Sequence, residues 1–283
     1  MMQQDEYSVR TMTALDLQQC HDLTRRLRWA HRGEDWAQAF RVSKGLVLEF
    51  EGNVVGTAIA CVKGDYSSIG LITIDPCFQG RGLGRELTNR VLGVATKNVS
   101  LVSTAEGRRL YESLGFEENG VVYQLTASPD DRSVAANHEP ARAVRMARAQ
   151  DFEDIYQLYR SATGVFSKVL LDDLLSTADA VFVAAQANNV VGFCIVRPFG
   201  QGAVVGPIVA DSVELAVDLV AESTRCFRDT TLRIDVNDSD AFAQALVPLG
   251  FRAVSRAPKM FLGAVPSTDS ALCQYSLASQ ALL

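Results

Sequence analysis

The chain has 283 residues, 48% of them apolar and 21% charged, with a net charge of −6. That length fits about two domains, each able to bury its own core, and a mean hydropathy of +0.07 excludes a disordered chain. No apolar run reaches the ~18 residues of a membrane helix, no signal-like stretch opens the sequence, and the acidic balance argues against nucleic acid or anionic lipid as a partner.

In chain order, residues 16–27 carry apolar side chains at helical spacing. Strands are predicted at 46–50 and 54–62 around the turn Glu51-Gly52-Asn53, and at 69–74, where β-branched residues alternate. Residues 85–95 form a helix with Leu87 and Val91 on one face, followed by a strand at 99–102, a helix at 106–113 and a strand at 121–125. Antiparallel strands followed by a strand–helix–strand unit imply a mixed sheet with helices on both faces, an α/β (α+β) fold. Residues 128–140, polar and bracketed by Pro129 and Pro140, read as a linker. A helix capped by Asp211 or Ser212 lies in the second half, and the Ser- and Ala-rich stretch from 264 reads as a short docked helix or a loose tail.

The chain repeats itself. Asn53-Val54-Val55-Gly56 recurs as Asn189-Val190-Val191-Gly192, and Leu114-Gly115-Phe116 as Leu249-Gly250-Phe251. Val9-Arg10 and Asp16 recur as Val144-Arg145 and Asp151. Four matches in order at one long offset mean two copies of a domain, not a solenoid. The expected division is 1–127, linker 128–140, 141–263, and a tail at 264–283.

The most informative segment is Ile72-Thr73-Ile74-Asp75-Pro76-Cys77-Phe78-Gln79-Gly80-Arg81-Gly82-Leu83-Gly84-Arg85. A strand ends, a proline turns the chain, and three alternating glycines lead into a helix. Glycines let backbone approach a ligand, and a helix start offers unpaired N–H groups and a positive dipole end. The pattern is an anion cradle sized for a pyrophosphate, with a ligand-free glycine turn as the plain alternative. It is neither a P-loop nor a dinucleotide fingerprint.

Gln79-Gly80-Arg81-Gly82-Leu83-Gly84 resembles the acyl-CoA signature Q/R-x-x-G-x-G/A of the GNAT N-acyltransferases. Leu110-Tyr111-Glu112-Ser113-Leu114-Gly115-Phe116 is similar to a second segment of that family. The whole chain resembles a two-domain bacterial type, so the resemblance implies two tandem GNAT-like domains, each a mixed, mostly antiparallel sheet flanked by helices. It implies acetyl-CoA as co-substrate: Ile72, Thr73 and Ile74 on the pantetheine arm, and Gln79, Gly80, Arg81, Gly82, Leu83, Gly84 and Arg85 at the pyrophosphate. Thr104-Ala105-Glu106-Gly107 stands where many members carry an asparagine.

Acetyl transfer to an amine needs a proton acceptor, a stabilised oxyanion and a proton for the leaving thiolate. Tyr111 is the candidate acid, with packing beside Phe116 as its bland alternative. Glu34 is the candidate base, although an amine deprotonated in water needs none. Trp29, Asp35 and Trp36, in the region that borders the family's acceptor site, are the candidate acceptor contacts, against the reading of 29–36 as a solvated charged loop. The second copy lacks both features: no glycine loop precedes its helix, and Leu246 stands at the Tyr111 offset. It is expected to cover the first active site, shape acceptor choice, or oligomerise, a homodimer included.

Six scattered cysteines and three histidines offer no metal-binding spacing. Cys61, Cys194 and Cys226 read as small core residues. The expected protein is a reduced, cytoplasmic N-acetyltransferase acting by direct transfer on a small or peptide-borne primary amine, without metal, nucleic acid or membrane. The alternative is a non-catalytic CoA-binding sensor.

Overall fold

A computed structural model describes residues 7–132, 138, 142–186, 189–268 and 270–283. Most of the expected linker lies outside the described residues. The first copy runs β1 (Ser8–Thr11), α1 (Leu17–Arg26), α2 (Gly33–Val42), β2 (Lys44–Phe50), β3 (Asn53–Lys63), β4 (Tyr66–Ile74), α3 (Leu83–Leu92), β5 (Asn98–Val102), α4 (Arg108–Ser113) and β6 (Glu117–Ala127). The second repeats that order: β7 (Val144–Met146), α5 (Phe152–Thr163), α6 (Lys168–Ser176), β8 (Ala180–Gln186), β9 (Asn189–Phe199), β10 (Gly202–Ala210), α7 (Val213–Cys226), β11 (Leu232–Asn237), α8 (Asp240–Ala245) and β12 (Arg252–Leu262). One strand, β13 (Cys273–Ser276), has no counterpart in the first copy.

Among the described residues thirteen strands join one sheet, in the order β1-β2-β3-β4-β5-β12-β6-β11-β13-β10-β9-β8-β7. The two copies exchange their last strands. β12 of the second copy pairs antiparallel with β5, and β6 of the first pairs with β11. β6 and β12 then pair with each other at the centre. Helices α1, α2, α5 and α6 share one core with Trp36, Tyr159, Leu171, Phe193 and Leu282. A separate core packs α3 and α4 in the first copy, and another packs α7 and α8 in the second.

The repeated residues hold the repeated geometry. Arg10 donates two bonds of 2.8 Å to Asp16, and Arg145 grips Asp151 at 2.7 and 2.9 Å, clipping the first strand of each copy to the turn that follows. A Cβ on Gly56 would lie 3.0 Å from the Thr73 carbonyl oxygen, and one on Gly192 would lie 3.0 Å from that of Val209, so both positions need glycine to pack against the next strand. Gly115 and Gly250 both have φ of +87°, turning the chain out of a helix into a strand.

Three sequence expectations change. Residues 33–42 are helix α2, not a loop, because Asp35 caps the first turn and Trp36, Ala39 and Val42 face inward at helical spacing. The tail is neither helix nor loose: it forms β13 and continues into the buried residues Leu277, Ala278 and Leu282. Cys61 and Cys194 are buried as expected, but Cys226, at the last position of α7, is exposed.

Candidate active site

The first copy opens a wedge in its sheet. β4 and β5 run parallel and pair at Tyr66–Asn98, Ser67–Val99 and Ser68–Ser100, after which no further pairs form. Beyond that point β4 carries an extra residue against β3: Thr57 faces Thr73 while Ile59 faces Gly70. The bulge places Leu71 at φ +48°, a left-handed conformation that a leucine adopts only under constraint. Thr57 supplies the constraint by donating to the Leu71 carbonyl at 2.7 Å, with the Thr73 hydroxyl 2.7 Å from its own. A bulge re-aims backbone groups, and Ile72, Thr73 and Ile74 follow it along the free edge of the wedge.

The glycine loop sits at the end of this edge. Asp75 caps a short turn over Pro76–Phe78 by accepting from the Cys77 N–H at 3.0 Å, and it pairs with Arg26 at 2.9 Å. Gln79 donates to the Ile74 carbonyl at 3.0 Å, tying the loop to the strand end. Gly80 and Gly82 have φ of +77° and +80°, and a Cβ at either would meet no atom within 4 Å. Packing therefore does not demand glycine at either site; the left-handed backbone conformation does. Gly82 is the N-cap of α3 and offers no side chain to it. The first N–H groups of a helix have no intrahelical acceptor, so this end can receive a ligand's oxygens. A glycine cap costs only a few tenths of a kcal/mol relative to serine. Arg81 bonds the Tyr7 hydroxyl at 2.6 Å, and Arg85 reaches Ser113 at 2.7 Å, joining α3 to α4.

Tyr111 packs in the same core as Ile74, Leu83 and Leu101, edge-on to Phe116 at 5.8 Å between centroids. Gly107 makes room for its ring, since a Cβ there would lie 2.8 Å from Tyr111 Cε2. Burial pushes the phenol up to about 12, so it keeps its proton throughout the neutral range.

The residues expected at the acceptor site lie on the other face of the sheet. Trp36 is fully buried and donates its indole N–H to Thr24 at 3.0 Å. Burial opposes the charge of Asp35, but bonds from Arg32 and from the Gly200 N–H hold its carboxyl below the usual range. Asp35 is thus a strut between the halves. Trp29 stacks loosely beside His31 at 5.8 Å. Glu34 is exposed on a groove of about 330 Å³ with Arg32, Gln38, Arg41 and Arg197, which no residue of the glycine loop lines. The structure brings Tyr111 and the cofactor-loop residues together around one wedge; it does not bring Trp36 or Glu34 to them. Sequence reasoning missed the Leu71 bulge, which leaves no signature in residue type.

The second copy has its own wedge. β10 and β11 pair only at Ala203–Leu232 and Val204–Arg233. β13 fills the gap beyond, pairing with β10 at residues 208–210 and with β11 at Val236. A Cβ on Gly206 would lie 2.0 Å from the Leu277 carbonyl oxygen, so that position admits the tail only as glycine. Ser212 caps α7 by accepting from the Leu215 N–H at 3.3 Å, and Ser239 caps α8 in the same way. Among the described residues no group of three His, Cys, Asp or Glu side chains could hold a metal, and no helix is long and apolar enough to cross a membrane.

Two family models, each described as an acetyltransferase (GNAT) domain, match the chain in order, one over residues 42–118 and the other over 155–275. A Bacillus subtilis protein described as the uncharacterized N-acetyltransferase YitH is 27% identical over 266 residues, 90% of each chain. A solved structure from Pyrococcus horikoshii, provisionally assigned as an acetyltransferase, aligns over 100% of this chain and 98% of its own, with a TM-score of 0.83 and 16% identity. A tandem GNAT protein from the clavulanic acid biosynthesis pathway aligns over 94% of this chain and all of its own, with a TM-score of 0.66 and 14% identity. The structural likenesses speak to the fold, and the two domain matches, one in each copy of the repeat, to the family: the chain belongs to the GNAT N-acetyltransferases and carries two such domains in tandem.

Proposed function

We propose that the first copy alone binds acetyl-CoA and transfers its acetyl group directly to a primary amine. The observation that carries this reading is the uncapped start of α3 at Gly82, at the end of the free edge of an open wedge. The N–H groups of residues 80–84 would hold the pyrophosphate, with Gln79 fixing the loop and Arg81 and Arg85 beside it. The backbone of Ile72, Thr73 and Ile74 would align the pantetheine arm, as a free strand edge does for any extended chain. Acetyl-CoA supplies an activated acyl group on a thiol leaving group.

Backbone N–H groups near Ile74 would support the carbonyl oxygen where negative charge develops. Tyr111 holds its proton at Oη and would give it to the departing sulfur. The acceptor's proton leaves to bulk water, because Glu34, the base expected from the sequence, opens onto a separate groove. A thiol-release screen over amines, amino acids, polyamines, aminoglycosides and peptides tests the reading. CoA release with at least one amine is expected. Tight acetyl-CoA binding with no release for any of them would favour a CoA sensor instead.

A further inference from the structure

The plug in the second wedge leaves space beside it. A cavity of about 540 Å³ opens where β11 ends, lined by β13, the end of α5, the central strand β12 and the base of the first wedge at Ser67 and Ser100. Its volume is that of a small-molecule site. It lies apart from the glycine loop, none of whose residues line it.

Its polar lining is rich in donors. Lys259, half-buried on β12, donates to Asn237 Oδ1 at 2.6 Å and makes no bond to a carboxylate. Lys63 is 5% exposed and donates to main-chain oxygens of Leu282 and Leu283 at 2.7 and 3.0 Å. The side-chain nitrogen of Gln274, on β13, is buried with no partner. The acid in the lining, Asp238, stands exposed at the rim and accepts from the Val121 N–H at 3.0 Å. Lys259 and the idle Gln274 amide thus line a cavity whose one acidic side chain, Asp238, stands at the rim, while Lys63 is answered by main-chain oxygens. A buried cation without a close counter-charge is costly unless something answers it. Burial accordingly pushes both lysines below their usual value. The rest of the lining includes Phe261, Leu272 and Leu277.

We propose that this cavity is a second ligand site, formed jointly by the two copies, for a small carboxylate with a compact apolar body. The carboxylate meets Lys259 and the Gln274 amide, and the apolar body lies against Phe261. The site goes beyond the acetyl-transfer reading and does not rest on it.

Calorimetric titration of the full chain with phenylacetate tests the proposal, with neither acetyl-CoA nor acceptor present. One phenylacetate per chain is expected, and phenylacetamide, equal in shape but uncharged, should bind at least tenfold more weakly. Lys259→Met should weaken phenylacetate at least tenfold while leaving acetyl-CoA binding unchanged, which also reports that the variant is folded. If Lys259→Met does not fold, Lys259→Gln replaces it with the same expectation. The site would be overturned by no phenylacetate binding at 10 mM, equal binding of the amide, or unchanged binding in the lysine variant. Inorganic phosphate binding as well as phenylacetate would also overturn it, since it would reduce the cavity to an unselective patch of positive charge.

Discussion

The two wedges share a scaffold and differ at their ends. In the first copy β4 and β5 part after three rungs, the next helix begins at a bare Gly82, and the gap has no strand in it. In the second, β10 and β11 part after two rungs, Ser212 occupies the helix start, and β13 fills the gap. The two copies thus differ at the ends of the wedge while keeping the same order of elements. At the second helix start the Ser212 hydroxyl takes the Leu215 N–H, and β13 takes the strand edge that stays free in the first copy. The repeats still visible in the sequence, the Arg–Asp clip and the paired glycines, bear the fold. The glycine loop and Tyr111 have no counterpart in the second copy.

The largest expected effect concerns whether the halves can be compared as separate objects at all. Because β12 lies between β5 and β6, a chain of residues 1–127 would lose both sheet neighbours of β6 and leave β5 as an open edge. We expect that fragment to aggregate or to show no cooperative unfolding by circular dichroism. A soluble fragment that binds acetyl-CoA normally would show that the strand exchange is dispensable. Next is Tyr111→Phe, which gives the first copy a ring without a hydroxyl, nearer to Leu246 in the second. If the phenol is the proton donor, kcat should fall roughly 10²- to 10⁴-fold, with the acetyl-CoA dissociation constant unchanged. A change within a few-fold would leave Tyr111 a packing residue, and a matching loss of affinity would make it a cofactor contact.

The smallest effect tests what the copies still share. Bonds from Arg10 and Arg145 hold Asp16 and Asp151 down to about 2. A carboxyl with a depressed folded value contributes stability above its unfolded value near ~3.9, and that contribution fades as pH falls toward the folded one. The melting temperature should lose this contribution between about pH 4 and pH 2. Asp16→Asn and Asp151→Asn should each lower it at pH 7 by a few degrees, a modest effect because both arginines are partly exposed. Unequal losses would show that the two clips are no longer equivalent.

Much of this was legible beforehand because it rests on local rules. Helical spacing from Leu17 to Arg26, the Glu51-Gly52-Asn53 turn and the glycines before α3 each announce their own geometry. The repeat offset announced the second copy, and the absence of a glycine loop before its helix was legible too. What stayed hidden depends on distant partners. β13 is four residues long and exists because a gap 60 residues upstream accepts it. The exchange of β6 and β12 leaves each strand's own pattern unchanged. Trp36 and Asp35 read as acceptor contacts since they stand in the region that borders the family's acceptor site; the helix they belong to turns one into the core and the other onto Arg32 and Gly200.

The central claim is that only the first wedge can hold the cofactor, and calorimetric titration of the intact chain with acetyl-CoA tests it most directly. We expect one acetyl-CoA per chain, and none in Gly82→Asp, which would put a negative charge into the cradle and force an aspartate to φ +80°. Two acetyl-CoA per chain, or one that survives Gly82→Asp, would contradict the account.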